Sequence, residues 1–304
     1  MVEFPVGSRS LLRRPSFTAI GAAASLACVG LISSPLLAGD INPAVTPAGI
    51  QASVDAIPLA SHRAVYDLTL LKAVGSKSPT EARGRIAFDF SGSPCEGYVQ
   101  NFRQLTELQP AEGPTRVSDM RSATFEDGSG KSFAFKMETK VDDEQSDEVD
   151  GRAQRVPEGA VSVDLVKPKQ TRLALERDVI FPTEHLKYIL AAAKAGEKAL
   201  EVKVYDGSDT GDKIYETTTF VGPPIDTPAE EPAAHIPALE HMRRWPVTIS
   251  YFDFGKKDES PNYTLSFDLY ENGISRALRL DYGDFVLAGQ MTSLELLPTP
   301  ACPK

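Results

Sequence analysis

The run Gly84-Arg85-Ile86-Ala87-Phe88-Asp89-Phe90-Ser91-Gly92-Ser93-Pro94-Cys95-Glu96-Gly97-Tyr98-Val99-Gln100-Asn101-Phe102-Arg103-Gln104 decides the fold class of this chain. Gly84, Ile86, Phe88 and Phe90 alternate with Arg85 and Asp89. A period of two places one face of a strand in a core and the other in water. Gly92, Pro94 and Gly97 then supply turn chemistry, and Tyr98 to Gln104 continues as a second strand.

The same alternation recurs on both sides of this run. It is seen in Ala64, Tyr66, Leu68 and Leu70, in Phe133, Phe135 and Met137, and in Val161, Val163 and Leu165. It returns in Leu200, Val202 and Val204, in Val247, Ile249 and Tyr251, and in Tyr263, Leu265, Phe267 and Leu269. Thr217, Thr218 and Thr219 read as strand by propensity more than by burial. Asn272-Gly273 predicts a two-residue type I′ hairpin turn. One helix interrupts the series: Pro182 and Thr183 open it, Leu186, Ile189, Leu190 and Ala193 follow helical spacing, and Gly196 closes it. About a dozen strands therefore follow one another with little helix between them, which excludes a parallel βαβ architecture. The expected fold is all-β and mainly antiparallel, an open barrel or spiral with the helix packed against or into it. The outer faces are too mixed in polarity for a lipid-facing barrel.

Domain organisation follows from composition. Arg9, Arg13 and Arg14 precede an apolar run from Phe17 to Ile32, and Leu36-Leu37-Ala38 ends in a small residue, so residues 1–38 read as a cleaved secretory signal. Ser25-Leu26-Ala27-Cys28 has the outline of a lipidation site, but Ser25 stands where an aliphatic residue is expected, so a lipoprotein is the weaker reading. Residues 39–60, with Pro43, Pro47 and Pro58, read as a flexible leader. Residues 61–304 read as a single domain with a proline-rich loop at 222–240. After removal of the signal no membrane span remains, and the expected location is the periplasm.

The formal charge of -10 argues against nucleic acid or anionic lipid as the main partner. If Cys28 leaves with the signal, Cys95 and Cys302 remain, and two cysteines in an oxidising compartment usually pair. The alternative is two buried thiols. No cofactor fingerprint, nucleophile elbow or close metal-ligand pair occurs, and no catalytic residue is assigned. Asp209-Thr210-Gly211 lacks the apolar strand that precedes an aspartic-protease motif and reads as a polar loop. The acidic run from Asp142 to Asp150 reads as a solvated loop. Arg103, Arg116 and Arg121 could line a polar pocket with Asp119, and ordinary cross-strand ion pairs are the simpler account. Phe88, Phe90, Phe133 and Phe135 either line a cavity for a lipid, lipopeptide or cell-wall fragment or fill the core.

In order, His62 to Leu68, Gly84 to Gln104, Ser118 to Asp127, Phe181 to His185 and Leu269 to Arg276 resemble segments of the EipB-like family of periplasmic cell-envelope integrity proteins. The resemblance runs over roughly residues 60–304. It implies a β-spiral, a disulfide between an early and a C-terminal cysteine at positions matching Cys95 and Cys302, and a periplasmic tetratricopeptide-repeat protein as partner. It implies no enzymatic activity. A lipid carrier is the alternative reading. A hydrolase is a remote one, requiring a convergent acid–base cluster that the sequence does not supply.

Overall fold

The computed structural model describes residue 54 and residues 57–76, 78–157, 159–256 and 260–302. The expected signal at 1–38, Cys28 and most of the leader lie outside the described residues.

The chain enters the sheet in its middle. Strands β1 (His62–Ala73), β2 (Pro79–Ser93), β3 (Gly97–Pro110), β4 (Arg116–Glu126), β5 (Ser132–Val141), β6 (Glu144–Arg155), β7 (Val161–Lys167) and β8 (Thr171–Leu175) form an antiparallel meander, each strand beside the last. A short strand β9 (Val179–Ile180) leads through helix α1 (Pro182–Ala195) to β10 (Ala199–Val204), which lies parallel to β9. A second meander follows through β11 (Tyr215–Val221), β12 (Arg244–Asp253), β13 (Tyr263–Tyr270), β14 (Ser275–Asp281) and β15 (Phe285–Leu296). Strand β15 then pairs with β1, with His62 opposite Leu296 and Ala73 opposite Phe285. The result is one sheet of fifteen strands whose edges are β8 and β9.

Those two edges are joined by Glu176, Arg177 and Asp178 alone. A link of that length spans at most ~14 Å, so the far ends of the sheet must come round to meet each other. The sheet is therefore a curled, unclosed barrel. Helix α1 sits inside the curl: ten of its fourteen residues are buried, so it is packed into the sheet and not merely against it. Ile189 and Leu190 are wholly buried, worth roughly 1.5–3 kcal/mol each. A second, smaller core lies where β5–β7 overlap the start of the other meander. There Phe133, Phe135, Val163 and Leu165 pack on Phe181 and Tyr205.

The opening run is the β2–β3 hairpin, in register from Glu81 opposite Gln109 to Ser93 opposite Gly97, with a shift before it at Pro79 opposite Pro110. Gly97 takes φ 83°, a left-handed conformation that suits glycine at the turn exit. Several expectations need correction. The acidic run is not a loop: Asp142 and Asp143, both at positive φ, turn the chain, and Glu144 to Asp150 belong to β6. Thr217 and Thr219 are buried, and the Thr217 hydroxyl donates to the Val202 carbonyl at 3.1 Å. At the β13–β14 turn Gly273 has φ 90° and its amide donates to the Tyr270 carbonyl at 2.9 Å. That is a three-residue loop with a left-handed glycine, not a two-residue type I′ turn. Ile57 and Leu59, at the end of the expected leader, are buried, and the Ala60 amide donates to the Asn272 carbonyl at 2.9 Å. These residues belong to the fold.

Two buried carboxyl groups, those of Glu126 and Glu231, hold the architecture at points where backbone partners run out. Phe181 occupies the N-cap of α1 and offers no capping side chain. Glu126, at the end of β4, substitutes: its carboxylate accepts the Thr183 amide at 2.6 Å and the Glu184 amide at 2.9 Å. Glu231, in the proline-rich loop, does the same for the sheet. Ala277 takes φ 50° in β14, and ladder pairing to β15 begins only at Leu278 opposite Gly289. Glu231 accepts the freed Ala277 amide at 3.1 Å and the Met291 amide at 3.0 Å. The same carboxylate pairs with the buried Arg276, which also meets Asp268. The loop is therefore a strap tied into the sheet.

Glu231→Ala should leave Arg276 buried without its principal counter-charge and two amides without acceptors. The expected loss is roughly 3–5 kcal/mol in urea denaturation. Burial pushes the Glu126 carboxyl up to about 8, against the pull of the Thr183 amide, while the nearby Glu184 adds to the rise. The folded chain thus keeps a proton that the unfolded chain releases in the ordinary carboxylate range. This stability contribution is full at low pH and is lost as pH rises through about 8. Melting temperatures measured from about pH 5 to about pH 9 should show a shallower decline for Glu126→Gln than for the natural chain.

Candidate functional site

The outer face of β1–β5 carries a groove of about 490 Å³. The ladder register builds it. One row across the strands runs Val65, Ala87, Arg103, Arg121, Glu138, and the next runs Arg63, Asp89, Asn101, Ala123, Lys136. Ala87 and Ala123 are short where their neighbours are long, so the rows leave a trough with a mostly apolar floor. Five strands at a spacing of ~4.8 Å make it ~19 Å from end to end. The next row places Val99 opposite Phe125, both partly exposed, which extends the apolar surface toward one end of the sheet.

Arg103 and Arg121 stand directly opposite each other on β3 and β4. Like charges in that position repel, and Asp119 offsets the repulsion. Arg103 donates from Nε and Nη2 to the two Asp119 oxygens, both at 2.9 Å, and Arg121 donates from Nη2 at 2.7 Å. The Arg103 hydrogen bonds first, and then those of Arg121, pull the Asp119 carboxyl down to about 2 against its desolvation. At the ends of the trough Arg63 pairs with Asp89 at 2.8 Å and Lys136 with Glu138 at 3.3 Å. Arg116, expected with this group, pairs instead with Asp142 at the β5–β6 turn. So two of the three arginines share a surface with Asp119, and the third does not.

A second depression of about 870 Å³ lies between the strap and β13, with His235, Glu240, His241 and Tyr270 in its wall. The His235 ring sits 2.7 Å from the Ala229 carbonyl, so the strap folds back upon itself there. Asp209-Thr210-Gly211 lies in the β10–β11 connection, where the Tyr205 hydroxyl donates to the Gly211 carbonyl at 2.8 Å. Among the described residues no three His, Cys, Asp or Glu side chains gather as a metal site. No described helix is long and apolar enough to cross a membrane.

The four phenylalanines are all buried, in two separate places. Phe88 stacks near Phe90, which stacks on Tyr98 at 5.5 Å. Phe133 stacks on Phe135 at 5.4 Å and on Phe181 at 5.3 Å. They do not converge on one cavity. Cys95 and Cys302 do converge: their Cα atoms are 5.6 Å apart across a separation of 207 residues, within reach of a disulfide. Cys95 is in the β2–β3 turn beside Pro94, where the backbone of Gly128 packs so closely that a Cβ there would sit 1.9 Å from the Pro94 oxygen. Lys187 of α1 reaches the Gly128 carbonyl at 3.5 Å. The two cysteines, the β4–β5 turn and the helix N-terminus thus occupy one end of the barrel. Sequence reading grouped Arg103 and Arg121 with Asp119 but missed the apolar floor between the rows, because Ala87 opposite Arg103 and Ala123 between Asn101 and Lys136 are set there by register alone.

A family model described as EipB-like matches residues 53–298. The cell envelope integrity protein EipB of Brucella abortus (strain 2308) is 39% identical over 253 residues, covering 83% of this chain and 89% of that protein. The crystal structure of a beta-barrel-like protein of domain of unknown function DUF1849 from Brucella abortus superposes with a TM-score of 0.74 at 39% identity, over 80% of this chain and 100% of that one.

Closing a loop of this length stabilises by roughly 5 kcal/mol at most in the chain-entropy account. Thiol labelling of the denatured, unreduced protein should find neither Cys95 nor Cys302 reactive, and Cys95→Ser should lower the urea midpoint without changing the far-ultraviolet spectrum.

Proposed function

The chain belongs to the EipB-like family, and on that premise we propose that it is an exported protein that maintains cell-envelope integrity by binding other proteins. The curled sheet is a scaffold in this reading, clasped by a Cys95–Cys302 disulfide in an oxidising periplasm. The observation that carries the reading is where the sheet leaves room. The curl is occupied by α1, and the aromatic side chains of the strands pack against one another. A mainly apolar opening lies outside, on the face of β1–β5, where a partner can reach it. Enzymes place convergent titratable groups in a cleft. Here the two most deeply embedded carboxylates, Glu126 and Glu231, are both engaged by backbone amides, and their arrangement is that of structural ties. The resemblance to the family points to a tetratricopeptide-repeat protein as the partner.

Affinity capture with the mature, oxidised chain from a periplasmic extract should recover a tetratricopeptide-repeat protein, and deletion of the gene should sensitise cells to detergent. Absence of both results would remove this reading.

A further inference from the structure

We propose that Asn272 is a latent deamidation site, kept shut in the folded chain by residues 57–60. The residue after it is Gly273, which has no Cβ to shield its amide nitrogen. That nitrogen is placed to attack the side-chain carbonyl carbon of Asn272. The bond from Gly273 N to Asn272 Cγ forms, the bond from Cγ to Nδ2 breaks, and ammonia departs to leave a cyclic succinimide. Water then opens the ring on one side to aspartate or on the other to isoaspartate. Water is the only co-reactant, and neither an oxidant nor a reductant takes part.

In the fold both reacting groups are engaged elsewhere. The Gly273 amide must give up its proton to attack, and it donates that proton to the Tyr270 carbonyl at 2.9 Å. The Asn272 side-chain oxygen accepts the Ile274 amide at 3.2 Å. The main-chain carbonyl of the same asparagine accepts the Ala60 amide at 2.9 Å, so the segment before β1 is tied to the residue that would react. Ile57 and Leu59 anchor that segment in the main core. Leu59 also closes over the glycine: a Cβ at Gly273 would sit 2.9 Å from Leu59 Cδ2. Gly273 is buried and Asn272 is half-buried, so water reaches the side-chain amide while the nucleophile stays covered. Reaction therefore requires residues 57–60 to lift and the turn to loosen, a local opening that leaves the rest of the sheet in place.

The two products have different consequences. Aspartate keeps an oxygen for the Ile274 amide and adds a negative charge next to Glu271. Isoaspartate adds a carbon to the main chain inside a three-residue loop. That loop is closed by the Gly273 amide on Tyr270 and by the Tyr270 amide on the Ile274 carbonyl, both at 2.9 Å. The added atom also moves the carbonyl that Ala60 needs. A chain that reacts to isoaspartate before residues 57–60 are seated thus loses the closure between β13 and β14.

The test is peptide mass spectrometry of the mature, oxidised chain held at mildly alkaline pH, folded in buffer or unfolded in urea, following conversion of Asn272 to aspartate and isoaspartate. The folded chain should react at least about tenfold more slowly than the unfolded one, which corresponds to an opening free energy of about 1.4 kcal/mol or more. Leu59→Ala should raise the folded rate roughly tenfold, a cover loosened by about 1.4 kcal/mol. Val163→Ala trims the second core away from the cover and should leave the folded rate unchanged. Should Leu59→Ala fail to fold, Ile57→Val makes the same comparison with a smaller change of side chain. Equal rates in the folded and unfolded chains, an unchanged rate when the cover is trimmed, or an equal acceleration by Val163→Ala would each overturn the inference.

Discussion

The pairing of β1 with β15 is the interaction on which the rest of the molecule depends. Each meander alone is a ladder of neighbouring strands, made of local hairpins. Only the register from His62 opposite Leu296 to Ala73 opposite Phe285 makes them one sheet. Because the first and last strands meet in the middle, the free edges fall to β8 and β9, and the three-residue link between those strands forces the curl. The enclosed helix, the second core and the outer groove all follow from that topology. The two cysteines lie close to the same seam, between the turn after β2 and the tail after β15, with their Cα atoms 5.6 Å apart.

The polar interior has a consistent logic. A bulge in β14 and an uncapped helix both leave buried amides without backbone acceptors, which costs free energy unless another group accepts them. Glu231 and Glu126 supply those acceptors from distant parts of the chain. Each carboxylate thereby fixes one element to another: the strap to the seam of β14 and β15, and the helix to the end of β4. Outside the barrel the charges follow different rules. Asp119 and its two arginines face water, and they shape the surface more than they hold it together.

Much of this was legible in the sequence. The period of two in Gly84 to Phe90, and its recurrence through the chain, marked the strands. Pro182 and Gly196 bracketed the helix correctly because proline and glycine act through local geometry alone. Composition misled where a run of charge was taken for a loop: the run is mostly exposed as expected, but it is strand. The residues from Glu144 to Asp150 are a strand, since a strand edge or outer face tolerates any number of carboxylates that reach water or a lysine. Thr217 was hidden for the opposite reason: a hydroxyl can be buried once a carbonyl accepts it. Glu126 and Glu231 carry no sequence signal for their roles, because the amides they cap lie 57 to 60 residues away for Thr183 and Met291. The β1–β15 pairing is equally silent, as is the floor of the groove, which depends on the register that sets Ala87 opposite Arg103 and Ala123 between Asn101 and Lys136.

That pairing also sets a timetable. A ribosome or a translocation channel delivers β1 long before β15, and every strand of the first meander can form while the inner edge of β1 stays open. Contacts so far apart in sequence are slow to form, and an open strand edge is a template for the wrong neighbour. The middle of the finished sheet is therefore the last part of it to be completed, and the nascent chain carries an adhesive flank for nearly the whole of its emergence.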